Sequence, residues 1–395
     1  MKKSGFRTKW FVIFGNLIRQ LAPTIRAATH LGGTTLSITA RKAGLLGLAA
    51  VGVMSLLAAC SAAPSDSSSG GAAKSDFLPC MVSDSGGFDD HSFNQLGYEG
   101  LQQAAKSLDV KPKSAESKSE NDFSPNIQSM VDANCNLVVT VGFLLKDATE
   151  KAAKANPDVN FAIIDDNEIQ AKNVKPIIFD TAQAAFLAGY AAASCSKTGI
   201  VGTFGGMQIP TVTIFMDGFA DGVKYFNDQK GKSVKVVGWD VDKQNGSFTG
   251  GFDANETAKN TAQGIIDQNA DVIMPVGGPI YQSAAQAIKD SGKPIAMIGV
   301  DADVYESDPT VKDLLLTSVM KGMKPATDDV VTQAADGKFD SSPYVGTLKN
   351  DGVGIAPFHD FESKVDTGLK GELDKIKAGI IDGSIKVTSP SSPKQ

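Results

Sequence analysis

Histidine is scarce: the 395 residues contain three, His30, His91 and His359. That count leaves little for a histidine metal cluster or a histidine-driven nucleophile. Cysteine is also scarce, with Cys60, Cys80, Cys135 and Cys195 and no C-x-x-C spacing, which excludes a redox pair or a zinc knuckle. There is no G-x-x-x-x-G-K-[ST], no H-E-x-x-H and no G-x-S-x-G. The Gly-rich turns at Gly202–Gly206 and Gly277-Gly278 do not fit a dinucleotide fingerprint. DSGGFDDHSF crowds Asp84, Asp89 and Asp90 but lacks the alternating ligands and closing Glu of a calcium loop. No metal and no cofactor is expected.

Acid is absent from residues 1–59, which hold eight of the 38 basic side chains. The rest of the chain is therefore strongly acidic, with 44 carboxylates against 30 bases. Such a body repels a phosphate backbone, so nucleic acid is not an expected partner. The basic segment ends in Arg41-Lys42, an apolar run over residues 43–59, and Leu57-Ala58-Ala59-Cys60. That order describes an export leader (1–59) closed by a lipobox-like cleavage site, with Cys60 as the lipidated mature terminus. The alternative is an uncleaved anchor. Either places the body on the extracytoplasmic face of the cell membrane. The first 40 residues are long for an n-region, so either translation starts after Met1 or the leader is extended. Residues 60–76 are small and polar and read as a tether.

From residue 77 the chain alternates short apolar runs with helical stretches. The runs include FLPCMVSD, NLVVTVG, NFAIIDD, KPIIFD, GIVGTFGG, SVKVVGWD, ADVIMPVGG and PIAMIGVDAD. About nine such strands predict an α/β protein of two doubly wound, Rossmann-like lobes. Ligands of such sheets bind beyond the carboxyl ends of the strands. The polar or Gly ends are Asp84, Gly142, Asp165, Gly205, Asp240, Gly278 and Asp301, some of which would merely cap the next helix. Cys80 lies in the first strand and Cys135 just before the second, and the two can bond if these strands pair in parallel; Cys195, in an Ala-rich helix, reads as a buried small hydrophobe.

SDSGGFDDHSFNQLGYEGL (83–101) carries the densest pattern. Gly86-Gly87 allows a turn, one of Asp89, Asp90 or Ser92 can cap the helix, and Phe93-Asn94 falls at its first turn. A ring beside an amide suits a flat heterocycle, although Phe93 read alone is equally a first core residue.

This segment resembles the signature of the basic membrane protein family of substrate-binding lipoproteins, the purine-nucleoside receptor group. The resemblance continues through NFAIID, FLAGYAAA, GIVGTFGGMQIPTVTIFMDGFADGV, IIDQNADVIMPVGG, IGVDAD, LLTSVMK and LKGELDKIKAGIIDGSIKV, in family order, over about 77–387. It implies a type I periplasmic-binding-protein-like fold with three crossovers. One lobe would be 77–180 plus 318–340, the other 181–317 plus 341–395. It also implies a monomeric receptor for an ABC importer, passing a purine nucleoside to a permease driven by an ATPase, and not an enzyme. Carried over residue by residue, the resemblance makes Phe93 one stacking ring and Phe252 the other, with Phe248 as the fallback. Asn94 would read the base edge; Asp84, Asp165 and Asp301 would serve as polar ligands; Lys321 and Gly278 complete the pocket. GSFTGGFDANETA and GVDADVY depart from the commoner F-x-D-P-x-K-G and GVDSDQ patterns. Other readings are the same fold with a sugar or signalling ligand, a nucleoside-processing enzyme, or an adhesin.

Overall fold

The computed structural model describes residues 76–394. The leader, Cys60 and all but the last residue of the tether lie outside the described residues.

The chain builds a first sheet, crosses to a second, and returns. The first part contains β1 (Pro79–Ser83), α1 (Phe93–Leu108), β2 (Lys113–Ala115), α2 (Glu120–Asp132) and β3 (Leu137–Val141). It closes with α3 (Lys146–Ala155), β4 (Asn160–Ile164) and β5 (Val174–Phe179). The second part runs α4 (Thr181–Cys195), β6 (Ile200–Gly205), α5 (Pro210–Lys230), β7 (Lys235–Val237), β8 (Trp239–Asp240) and β9 (Asn245–Gly246). It continues through α6 (Glu256–Ile266), β10 (Val272–Val276), α7 (Ile280–Ser291), β11 (Ala296–Asp301), α8 (Val304–Ser307) and β12 (Leu315–Lys321). Then come α9 (Met323–Ala335), β13 (Tyr344–Gly346), β14 (Val353–Ile355) and α10 (Leu369–Asp382).

The first sheet has the order β13-β5-β4-β3-β1-β2 and the second β14-β12-β11-β10-β6-β7, with β8-β9 a separate hairpin. The pairs are parallel except β12–β14 and β8–β9. Every residue of β1, β3, β10 and β11 is buried, which is why these strands read as continuous apolar runs rather than alternating ones.

The sheet memberships correct the expected lobe limits. All of β12 pairs with β11 as far as Asp301↔Met320, so the second crossing follows Lys321 rather than residue 317. Tyr344–Gly346 pairs with β5, so the third crossing follows residue 346 rather than 340. The lobes are thus about 77–180 with 322–346, and about 181–321 with 347–394.

Behind the second sheet α4 crosses α5 at backbone distance. A Cβ on Gly189 would sit 2.0 Å from the Phe219 carbonyl oxygen, and one on Gly222 2.0 Å from that of Phe186. Small residues on the facing sides of both helices, Gly189 on α4 and Gly222 on α5, let them approach so closely, at the helix cost of a glycine interior. Cys80 and Cys135 are joined in a disulfide, with Cα atoms 6.0 Å apart. Cys195 is free and only half-buried, at the last turn of α4 rather than in the core; burial still pushes its thiol up to about 11. No described helix is long and apolar enough to cross a membrane.

Candidate functional site

The two sheets present the carboxyl ends of their strands to one another, and a cavity lies between them. Asp84, Phe93, Asn94, Asp165, Phe252, Gly278, Asp301 and Lys321 all line it. Phe248 does not; its ring packs on Gly205 and edge-on to Trp239, centroids 6.0 Å apart. Asp240 is turned away to Lys243, at 2.6 Å.

On the first lobe the turn after β1 is organised by Asp90. Its carboxylate accepts the amides of Ser92 (3.0 Å), Asn94 (2.8 Å) and Gln95 (3.0 Å), so it caps α1. Ser92 is thereby released, and its hydroxyl donates to the Val300 carbonyl of the other lobe at 3.1 Å. Asn94 Nδ2 donates to Asp84 Oδ1 at 2.7 Å and to Asp90 Oδ2 at 3.3 Å. Both amide hydrogens are spent, and the buried Asn94 Oδ1 has no partner among the described residues. This end of the cavity therefore presents acceptors. Burial pushes the Asp84 carboxyl up to about 6, against the opposing bonds from Asn94 and the Gly86 amide. Gly142, at φ 113°, closes over Asp84; a Cβ there would stand 2.7 Å from Oδ2.

Asp165 and Asp301 occupy equivalent places in the two lobes. Each follows or ends a strand with φ 68°, a left-handed conformation that Asp tolerates better than most residues. Lys321, the last residue of β12, binds both: Nζ lies 2.5 Å from Asp165 Oδ2 and 3.4 Å from Asp301 Oδ1. Lys321 is 6% exposed, and its ammonium also lies 4.9 Å from the Phe93 ring centroid and 5.2 Å from that of Phe215. Burial alone would lower its pKa, but the two carboxylates outweigh it and hold the group charged.

The opposite wall carries Phe252. Its ring lies on two glycines: a Cβ on Gly206 would come within 2.4 Å of it and one on Gly277 within 2.7 Å. The loop that carries it is stitched to the end of β6. Gly205 N donates to Ser247 O at 3.0 Å, Thr249 N to Gly205 O at 2.9 Å, and Gly250 N to Gly206 O at 2.8 Å.

Several lining residues were not singled out by sequence reasoning: Phe143, Leu144, Thr211 and Phe215 among them. Asp90 was read only as a cap or a calcium candidate; in the structure it caps and lines the cavity together. The signal available for it was its place just before the first helical residue, Phe93, where a carboxylate can accept the free amides of the first turn.

Comparison with known proteins agrees with this architecture. A relative from Lactococcus lactis, an ABC transporter nucleoside-binding protein BmpA, is 32% identical over 86% of this chain and 97% of its own. An uncharacterized lipoprotein of Pyrococcus abyssi is 30% identical over 69% of this chain and 67% of its own. Among solved structures, an ABC transporter solute-binding protein from Aeropyrum pernix superposes with TM-score 0.71 at 24% identity, covering 80% of this chain and 94% of that one. It supports the type I binding-protein fold. The model of the family described as ABC transporter substrate-binding protein PnrA-like (Bmp) matches residues 77–387, and the chain belongs to that family.

Proposed function

We propose that this chain captures a purine nucleoside between its lobes and hands it to the permease of an ABC importer, without transforming it. One observation carries the reading. One interlobe cavity brings four phenylalanine rings, Phe93, Phe143, Phe215 and Phe252, together with four carboxylates and one buried lysine. A base stacks on such rings for about 1–3 kcal/mol. Sugar hydroxyls donate to ionised carboxylates, which only accept, at about 1.5–3 kcal/mol per charge-assisted bond. The acceptor-only end at Asp84 and Asn94 suits a base edge that carries N–H groups. Asp84, Asp90, Asp165 and Asp301 oppose a phosphate, so nucleotides bind poorly. Cys60 would hold the protein to the outer face of the cell membrane through lipid, and one monomer would carry one ligand.

Titration calorimetry tests this, on protein refolded to strip carried ligand. Inosine, guanosine and adenosine are expected to bind one-to-one, with cytidine and uridine weaker and ribose and AMP near background. Ribose binding as tightly as a nucleoside would move the ligand to the sugars. Free hypoxanthine released from inosine would make the protein an enzyme.

A further inference from the structure

The chain contains one Asn-Gly step, Asn245-Gly246. It forms β9, on the hairpin just ahead of the loop that carries Phe252. Both residues are exposed. The Asn245 carboxamide has no hydrogen-bond partner among the described residues, whereas those of Asn173, Asn227 and Asn255 are held by the backbone.

The chemistry open to this step depends on the Gly246 amide nitrogen. Ser247 N donates to Gly238 O at 2.8 Å, so these two residues form a hydrogen-bonded pair of the hairpin. In an antiparallel ladder the next pair exchanges no bonds. That pair is Gly246 with Trp239, so the Gly246 N–H points out of the ladder. Glycine has no side chain to hinder approach to its nitrogen. Packing also requires a glycine here: a Cβ would stand 2.3 Å from the Gly238 carbonyl oxygen and 2.7 Å from the Trp239 ring. A free carboxamide thus precedes an unhindered amide that lies outside the ladder.

We propose that Asn245 is a modification site that needs no enzyme. The Gly246 nitrogen attacks Cγ of Asn245 and loses its proton. The Cγ–Nδ2 bond breaks, ammonia leaves and a succinimide closes. Water then opens the ring. Cleavage of the new N–Cγ bond gives aspartate. Cleavage of the original backbone C–N bond gives isoaspartate, in which the main chain runs through the side chain. One water enters, one ammonia leaves, and nothing is oxidised or reduced.

The two products differ in their effect on the site. Aspartate adds a charge to a hairpin that already carries Asp240 and Asp242, and leaves the backbone as it was. Isoaspartate adds one carbon to the main chain, about 1.5 Å. The bonds that stitch the Phe252 loop to β6 begin at Ser247 and run to Gly250. The added carbon shifts their register and moves Phe252 off its seat on Gly206 and Gly277. A protein modified in this way loses one wall of its cavity.

The test ages the full chain, purified in detergent, warm at mildly alkaline pH, with a portion kept cold at mildly acidic pH. Peptide mass mapping reads acid at every Asn, and carboxyl-methyltransferase labelling reads isoaspartate. Acid at residue 245 is expected to accumulate at least about fivefold faster than at any other Asn, as both products, and Asn245→Gln should abolish it. In aged protein, one fraction of molecules should exchange the Thr249 and Gly250 amides with deuterium at least about tenfold faster, and that fraction should equal the isoaspartate content. The same fraction should bind inosine at least about fivefold weaker. Asn245→Asp, which supplies the charge without the extra carbon, should match the fresh protein in both. Residue 245 remaining an amide, or another Asn reacting faster, overturns the modification site. Isoaspartate at 245 with unchanged exchange at Thr249 and Gly250 overturns its effect on the loop, as does Asn245→Asp reproducing the aged behaviour. Only the inosine measurement rests on the nucleoside reading. Fresh protein that ignores inosine overturns that reading, while mass and exchange on the unsubstituted chain still decide the modification.

Discussion

Asp84 concentrates the chemistry of the site in one carboxyl. Its pKa is raised from 3.8 to about 6 by burial, so the native state holds a proton that the unfolded chain has lost between those two pH values. Stability contributed by that proton is full below pH 3.8, falls as pH rises through this window and is flat above about 6. The loss is about 3 kcal/mol at neutral pH. A ligand donating N–H to the ionised form reverses the cost and releases the proton. Affinity for inosine should therefore rise about tenfold from pH 5 to pH 7. Asp84→Asn should remove most of that slope, because Asp90 and Asp165, also pushed up by burial, keep a share. Calorimetry in two buffers of different ionisation enthalpy checks the proton release; an affinity flat in pH, or rising toward acid, would contradict it. For Phe93 the expectation concerns stacking: Phe93→Ala should weaken inosine binding roughly 10- to 100-fold. Its partial exposure at the cavity wall makes it a small contributor to the core, so the melting temperature should change little.

At the scale of elements, what could be read from the sequence was whatever the burial of a whole strand dictates. LVVTV, VIMPV and AMIGVD are buried throughout and nearly all apolar because helices cover both sheet faces, and the same runs lead to Gly142, Gly278 and Asp301 on the cavity. The short edge strands were not legible. β2, β13 and β14 have three residues each, and their pairing is decided by where the chain returns, not by a local pattern. That is also why the crossings after Lys321 and Gly346 differ from those expected. Asp90 was half legible: a cap is a local feature, but its place on a cavity wall depends on the opposite lobe. The α4–α5 contact was legible as composition without its partner. Gly222→Ala puts a methyl 2.0 Å from the Phe186 carbonyl and forces the helices apart. A loss of about 1–3 kcal/mol by urea unfolding is expected, as for overpacked cores. The disulfide adds a second elemental constraint, closing a loop of 55 residues. Loop entropy alone gives about 4 kcal/mol, so the Cys80→Ala, Cys135→Ala pair should lower the urea midpoint while leaving inosine affinity unchanged.

For the whole molecule the question is what holds two lobes in register around a ligand. The contacts that bridge them include Lys321 to Asp165, Ser92 Oγ to the Val300 carbonyl, Ser307 Oγ to the His91 carbonyl at 2.7 Å, and Ser392 Oγ to Asp180 near a crossing. The first is inside the cavity and cannot be removed without damaging the site. Lys321→Met would leave Asp165 and Asp301 buried with no cation, a change that confounds binding with stability. The Ser307 contact lies on α8, and Ser307 does not line the cavity. A hydrogen bond of this kind is worth about 0.5–1.5 kcal/mol. If the closed arrangement is the one that retains ligand, removing the bond lowers its population and divides the apparent affinity by the same factor. Ser307→Ala is then expected to weaken inosine binding about two- to tenfold, with the change carried by the dissociation rate. Ser307→Thr, which keeps the hydroxyl, should restore it. Stopped-flow dissociation measures this directly. A dissociation rate unchanged in Ser307→Ala would show that the α8 contact does not hold the lobes closed, and would leave that work to Lys321, the Ser92 bond to the Val300 carbonyl and the ligand itself.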